Sequence, residues 1–404
     1  MTETIRPETS DQAAEVVAWA VGDEVPVEVL GGGSKRSLGR PVQAQYTLDL
    51  SALSGIALYE PEELVLSAGA GTPMREIVAA LDGNNQALAF EPPDLGPLLG
   101  GQADRGTLGG ALACNLAGPR RIASGAARDH FLGFHAVSGR GEVFKSGGRV
   151  VKNVTGYDLS KLMAGAYGTL AVMTDVTVKV LPAAESTRTV VLSDLDPHTA
   201  LQAMTRALQS AYQVSGAAYL PSGIAARTRI AGTAPLTLLR IEGPPKSVVH
   251  RADKLAGALR DLALAEIVED ETSRGLWRGI RDVAPFVGEW ERAVWRLSVP
   301  PADGAATVGR LAKAVPEALW FQDWGGALIW ASVPDDGTAR ADAVRGALPE
   351  TGGHATLIRA DARTRANVPV FQPQPDGVAA LTRRLKDNFD PRRVLNPGRM
   401  YAGV

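Results

Sequence analysis

The chain has 404 residues, too many for one ordinary core, so two or three domains are expected. Hydrophobic residues make up 45%, charged residues 21%, and the formal net charge is −2, the profile of a globular protein. No Lys/Arg block stands out, which argues against a nucleic-acid binder, and the single cysteine, Cys114, excludes an internal disulfide and a Cys-based zinc site. No apolar run reaches the length of a bilayer and the opening residues lack a signal core. The expectation is a cytoplasmic protein with no direct membrane insertion, reaching a membrane only through partner subunits.

In chain order, apolar spacing predicts a helix over 10–21, capped by Ser10 or Asp11. Short strands follow at 25–30, 46–50, 56–59 and 64–67. A helix over 72–81 comes next, with Thr72 as cap and Pro73 in its first turn. Strands are expected at 131–137, 142–145, 150–151 and 170–181. Beyond a linker at 182–186, glycine becomes sparse and two rounds of strand and helix follow. The strands fall at 190–192, 217–220, 236–241, 293–299, 327–332 and 355–359, with helices at 199–212, 247–262, 305–315 and 339–348. Paired strands between helices predict an antiparallel sheet covered by helices. A helix from 376 closes the chain.

Glycines concentrate between residues 31 and 168. Gly31, Gly32, Gly33, Ser34 and Lys35 follow a strand directly. This tract reads either as a diphosphate-binding loop or as a flexible turn. It is not a dinucleotide fingerprint, because position 36 is Arg and no helix follows; the Gly69–Met74 tract fails that fingerprint too. Further candidates for cofactor binding are Gly101, Thr107, Leu108, Gly109, Gly110, Ala113, Cys114, Asn115, Gly118 and Gly125, followed by Lys152, Asn153, Gly165, Gly168, Thr169 and Val172. So many glycines at close spacing are entropically costly without a purpose.

The ordered set GGGS at 31–34, TLGG at 107–110, RDxxLG at 128–133, VKNVTGYD at 151–158, GxxGT at 165–169 and DPxxVLNPG at 390–398 resembles the vanillyl-alcohol-oxidase and p-cresol-methylhydroxylase type of FAD flavoprotein. Within it the pattern is similar to the FAD-binding subunits of bacterial glycolate oxidases, over residues 28–182 and 385–400. The resemblance implies an α+β fold. Its FAD-binding domain would span 1–182, with subdomains of about 1–100 and 101–182. An α+β cap domain with an antiparallel sheet would span 183–375, and the segment 376–404 would return to the flavin side through Asn396. It implies non-covalent FAD, with 31–35 on the diphosphate, 107–110 and 113–115 along the flavin, and Gly165, Gly168, Thr169 and Val172 by the adenine and ribose. It also implies a second flavoprotein subunit, an iron–sulfur subunit and a small 2-hydroxyacid substrate, with electrons leaving to a partner or quinone.

For chemistry the sequence offers little. The His-rich metal motif of related hydroxyacid dehydrogenases is missing, no metal site is expected, and His354 alone stands at the similar place. His354 reads as a general base or as a structural histidine at a strand start. Arg281 reads as a bidentate carboxylate binder or as a solvated helix charge. Arg120 and Arg121 read as cofactor or partner contacts, and the tryptophans between 290 and 330 as core, with an exposed subset free to meet a partner. The expected function is the FAD-binding subunit of a glycolate (2-hydroxyacid) oxidase complex. The alternatives are a non-catalytic FAD-carrying or scaffolding subunit and a stand-alone oxidoreductase of another 2-hydroxy acid.

Overall fold

The computed structural model of the protein describes residues 3–149, 156–228 and 233–404. The strand expected at 150–151 lies outside them, as do Lys152 and Asn153. The chain divides into two units: Met1–Ala117 with Gly125–Pro182 and Pro373–Val404, and Gly118–Ser124 with Ala183–Gln372.

The first unit begins with a small parallel sheet. β1 (Glu3–Ile5) and β2 (Val27–Leu30) flank β3 (Tyr46–Asp49). The helix Ser10–Gly22 supplies its connection, burying Ala13, Val17 and Ala20. Thr9, one residue before the expected caps, caps that helix by accepting from the Gln12 N–H. The tail joins this sheet: Leu395 bridges to Val27 in parallel, and Val394 and Leu395 enter the same apolar core as Val17, Val27 and Leu48.

A second sheet in this unit is antiparallel. It comprises β4 (Ile56–Glu60), β5 (Val65–Gly69), β7 (Phe131–Ser138), β8 (Val143–Gly147) and β9 (Ala171–Lys179), in the order β4-β5-β9-β7-β8. Two-residue strands β6 (Gln86–Ala87) and β10 (Leu181–Pro182) pair beside it. The helix Met74–Asp82 lays Ile77 and Leu81 into its core. Thr72 does not cap that helix as expected, because its hydroxyl donates to the Gly69 carbonyl at 2.7 Å and ties the preceding turn.

The second unit carries, among the described residues, one eight-stranded sheet. It is built from β11 (Ser186–Ser193), β12 (Val214–Leu220), β13 (Leu236–Gly243), β14 (Ala265–Glu269), β15 (Arg292–Ser298), β16 (Leu319–Asp323), β17 (Leu328–Pro334) and β18 (His354–Arg359). The order is β14-β11-β13-β12-β16-β17-β15-β18, with antiparallel pairing throughout. Helices Pro197–Leu208 and Pro245–Ala258 bury their apolar stripes against β11–β13. The expectations missed β14, β16 and the helix Asp270–Arg281, whose polar sequence hides a short stripe of Leu276, Trp277 and Ile280.

Residues 118–124 depart from the expected boundaries by belonging to this second unit. The indole N–H of Trp324 donates to the Gly118 carbonyl at 3.0 Å. Arg120 forks onto Glu242 at 2.6 and 2.9 Å, and Ile122 packs on the core of β11–β13.

Candidate functional site

In the first unit, one groove gathers the glycine-rich tracts. Val29 to Arg36 form one wall; Thr107, Gly109, Gly110, Ala113 and Cys114 form a second; Tyr167, Gly168, Ala171 and Met173 form a third. Close backbone packing explains most of these glycines. A Cβ on Gly32 would sit 1.9 Å from the Arg105 carbonyl oxygen, and one on Gly31 would sit 2.5 Å from Thr107 Oγ1. A Cβ on Gly109 would press on Ala70 at 2.7 Å. Gly33 differs: its φ is +74° and the space where a Cβ would stand is open. Two of the three loop glycines therefore serve the approach of residues 105–107, and the third sets the turn.

Thr107 is the N-cap of the helix Leu108–Ala113, its hydroxyl oxygen accepting from the Gly110 N–H at 3.2 Å. Accepting there leaves the Thr107 hydroxyl proton able to donate. Lys35 Nζ donates to Ser34 Oγ at 3.1 Å. Burial pulls the Lys35 ammonium below its usual pKa; Cys114 and Asp94 oppose this, while Arg399 adds to it. Burial pushes the Cys114 thiol up, so it stays protonated at neutral pH.

The tail fastens the groove. Asn396 Oδ1 accepts from the Val29 N–H at 2.8 Å, and its Nδ2 donates to the Tyr167 carbonyl at 2.8 Å. One amide thus ties the strand entering the glycine loop to the turn at Gly168. Arg399 donates to the Lys35 carbonyl at 2.9 Å and stands 3.6 Å from the buried Glu28, which also pairs with Arg36 at 2.5 Å. Beneath them a fully buried Lys386–Asp390 pair, 2.7 Å apart, donates to the Thr169 and Leu395 carbonyls and accepts from the Val394 and Leu395 N–H groups. Every polar atom of that pair that the fold hides has a partner, as a buried charge requires.

Of the residues expected to hold the cofactor, the groove collects Gly31, Gly32, Gly33, Ser34, Lys35, Thr107, Gly109, Gly110, Ala113, Cys114 and Gly168. Others fall behind it. Leu108 and Val172 are core, Thr169 is a buried partner of Lys386, and Asn396 supports two walls. Asn115 accepts from the Arg128 N–H and lies against Gly165; Gly125 turns beside Asp129; Gly101 is an exposed turn residue. Gly118 belongs to the second unit. The sequence reading missed Tyr167, Met173 and Arg399. A cation one residue past the Pro397-Gly398 turn was the available signal for Arg399.

The two residues expected to be catalytic lie in the second unit on different elements. Arg281 donates through Nε and Nη2 to both oxygens of Asp282, each at 2.8 Å, so its fork faces its own neighbour instead of a ligand carboxylate. His354 opens β18 opposite Ser298, where Gly353, with φ +144°, passes the Ser298 carbonyl so closely that a Cβ would sit 2.9 Å away. His354 is exposed at the strand start; partial desolvation, then the charges of Arg296 and Arg121, lower its pKa. Among the described residues, no group of three or more His, Cys, Asp or Glu is placed to hold a metal ion. Trp295, Trp324 and Trp330 are buried as core, whereas Trp290 is 57% exposed.

The FAD binding domain family matches residues 2–147. The chain is 33% identical over 393 residues to the glycolate oxidase subunit GlcE of Escherichia coli (strain K12), covering 97% of each. It belongs to that family. The glycolate oxidase subunit GlcD of Bacillus subtilis (strain 168) is 22% identical, over 98% of this chain and 88% of that one. In fold, the chain is similar to p-cresol methylhydroxylase with substrate bound, at a TM-score of 0.73 and 15% identity, over 98% of this chain and 88% of the other. The protein is thus an FAD-dependent oxidoreductase of mixed α+β fold. No described helix is long and apolar enough to cross a membrane.

Proposed function

We propose that the chain is the FAD-binding subunit of a glycolate oxidase complex, oxidising glycolate to glyoxylate and passing two electrons to a partner subunit or quinone. The observation that carries this reading is the 33% identity to GlcE across 97% of both chains. The groove supports it, because its residues suit a dinucleotide cofactor with a diphosphate. Lys35 and Arg399 bring two cations to the glycine loop, and Gly33 leaves space open beside it. In this reading residues 31–35 hold the diphosphate, Thr107 to Cys114 flank the flavin, Gly168 stands by the adenine and ribose, and Asn396 keeps the two walls in register. When bound, FAD supplies the two-electron acceptor for oxidation of the CH–OH group. In this reading the binding is non-covalent. The assembly includes a second flavoprotein subunit and an iron–sulfur subunit, and any membrane association comes through them.

A partner-dependent variant of this reading is favoured by one feature: His354 stands alone where related dehydrogenases carry a His-rich motif. The absorbance spectrum of the purified full chain, with anaerobic glycolate or D-lactate added, decides between them. Bleaching of a flavin band shows turnover by this chain. A flavin band that stays oxidised assigns turnover to the assembled complex. No flavin, even after adding FAD, overturns the reading.

A further inference from the structure

The helix Asp376–Phe389 fully buries one residue, and that residue is Lys386. An apolar stripe is the usual fastening of a helix to its unit; here an ammonium group takes the deepest position. Lys386 Nζ donates to the Thr169 carbonyl at 2.7 Å, to Asp390 Oδ2 at 2.7 Å and to the Leu395 carbonyl at 3.0 Å. An ammonium has three donors, so all of them are used. Asp390 is received as closely, since a Cβ on Gly139 would sit 2.4 Å from its side chain. A buried charge pair contributes little net stability, because desolvation offsets the attraction. What distinguishes this pair is the backbone it holds.

Both carbonyls belong to turns at the groove. Thr169 follows Tyr167 and Gly168, whose φ angles are +54° and +69°, and Leu395 precedes Asn396, whose φ is +43°. For Tyr167 and Asn396, which carry a Cβ, that region is unfavourable and persists only where the surroundings impose it. The two turns also meet: Asn396 Nδ2 donates to the Tyr167 carbonyl, and a Cβ on Gly168 would sit 2.8 Å from that nitrogen. The ammonium therefore clamps, a residue or two away, the same two segments that the Asn396 amide joins. All of these residues lie in the first unit.

We propose that Lys386 and Asp390 are positioning residues for the cofactor, holding Tyr167, Gly168 and Asn396 in the backbone conformations that give the groove its wall. The inference rests on the placement of FAD in this groove. Neither side chain touches the cofactor, since both are 0% exposed and neither lines the groove. The pair acts only through the two turns.

The test compares the full chain with the double variant Lys386→Met, Asp390→Asn. It removes both charges together and keeps an acceptor for the Val394 and Leu395 N–H groups, whereas Lys386→Met alone strands a buried carboxylate. Leu81→Ala, a core truncation on the helix Met74–Asp82, serves as a control for general destabilisation. Each protein is stripped of flavin, melted, titrated with FAD by fluorescence quenching, and followed by amide exchange in the flavin-free state. Both variants should melt below the parent. Only the double variant should bind FAD about tenfold or more weakly. Only it should exchange faster at the amides of Tyr167, Thr169 and Asn396, each of which is bonded in the parent. Parent-like affinity or parent-like exchange at those amides in the double variant overturns the proposal. So does an equal loss of affinity in Leu81→Ala, which would make the pair merely structural. No FAD uptake by the parent counts against the cofactor reading, while exchange in the flavin-free chain still decides whether the pair holds the turns.

Discussion

The groove of the first unit and the arginine–tryptophan cluster of the second are built in opposite ways. The groove is made by backbone: Gly32 and Gly109 have no side chain where another backbone segment must pass, and Gly31 has none where the Thr107 side chain stands. The cluster is made by side chains that stack, Arg121 and Arg296 on Trp324, carried on elements distant in sequence. A site made by backbone tolerates few residue types and writes contiguous motifs. A cluster made by side chains leaves single residues in otherwise ordinary strands.

The comparison predicts that the groove breaks most severely when a Cβ is added. Gly32→Val should abolish flavin retention, because its Cβ falls 1.9 Å from the Arg105 carbonyl and the loop must move away from residues 105–107. The ratio of flavin to protein absorbance after desalting should drop more than tenfold, and thermal stability should fall with it. A variant that keeps its flavin would show that this approach is not needed for the cofactor.

Asn396→Ala should come next. It strips the partner from the Val29 N–H and from the Tyr167 carbonyl, both at the groove wall. Both contacts are part-buried, so water can replace some of what is lost, and denaturant titration should lose about 1–3 kcal/mol of stability in all. Flavin affinity should weaken along with it, since the walls lose their shared tie.

The sequence displays the first region far better than the second. GGGS, TLGG and the NPG tail mark the groove because each needs particular backbone freedom or a turn amide. Even so, the glycine tracts were read as making room for a ligand, whereas Gly31 and Gly32 make room for Arg105 and Thr107. Thr169, Val172 and Leu108 shared those motifs without reaching the groove, because a motif keeps its packing residues as well as its lining ones. In the second unit, spacing found most strands, since short apolar runs between polar turns announce themselves. It did not find the order β12-β16-β17-β15-β18, and so could not show that Arg296 and His354 share a face. Nor could it show that residues 118–124 leave the glycine-rich unit, a matter of two hydrogen-bonding anchors outside any periodic pattern.

A smaller effect separates charge from shape within the groove. Lys35→Met removes an ammonium that burial already disfavours, so stability should hold or rise slightly. Flavin affinity should nevertheless fall about tenfold, the loss of one charge-assisted contact to phosphate. Parallel fluorescence titration and thermal melts measure both. Falling stability with unchanged affinity would make Lys35 structural and leave the loop's backbone as the anion holder.

The smallest effect concerns the anchor of the second region. Burial alone would push the Glu242 carboxyl up, but the charges of Arg240 and Arg120, with hydrogen bonds from Arg120 and Ser215, hold it down at about 2 against an ordinary 4.5. A carboxylate held low in the folded state contributes stability that is fully present above pH 4.5 and is lost as the pH falls from there through about 2. Between pH 5 and pH 3.5 this group should therefore account for about 1 kcal/mol of lost stability. Glu242→Gln should be less stable than the parent at pH 6 and should lose less between pH 5 and 3.5. Because Glu242 holds Arg120, the same variant should loosen the 118–124 segment, read as faster amide exchange there, while leaving the flavin content of the groove unchanged. Equal acid sensitivity in the two proteins would mean that the 118–124 segment is held in the second unit chiefly by Trp324 and Ile122, and that the charge network beside Arg121 is dispensable.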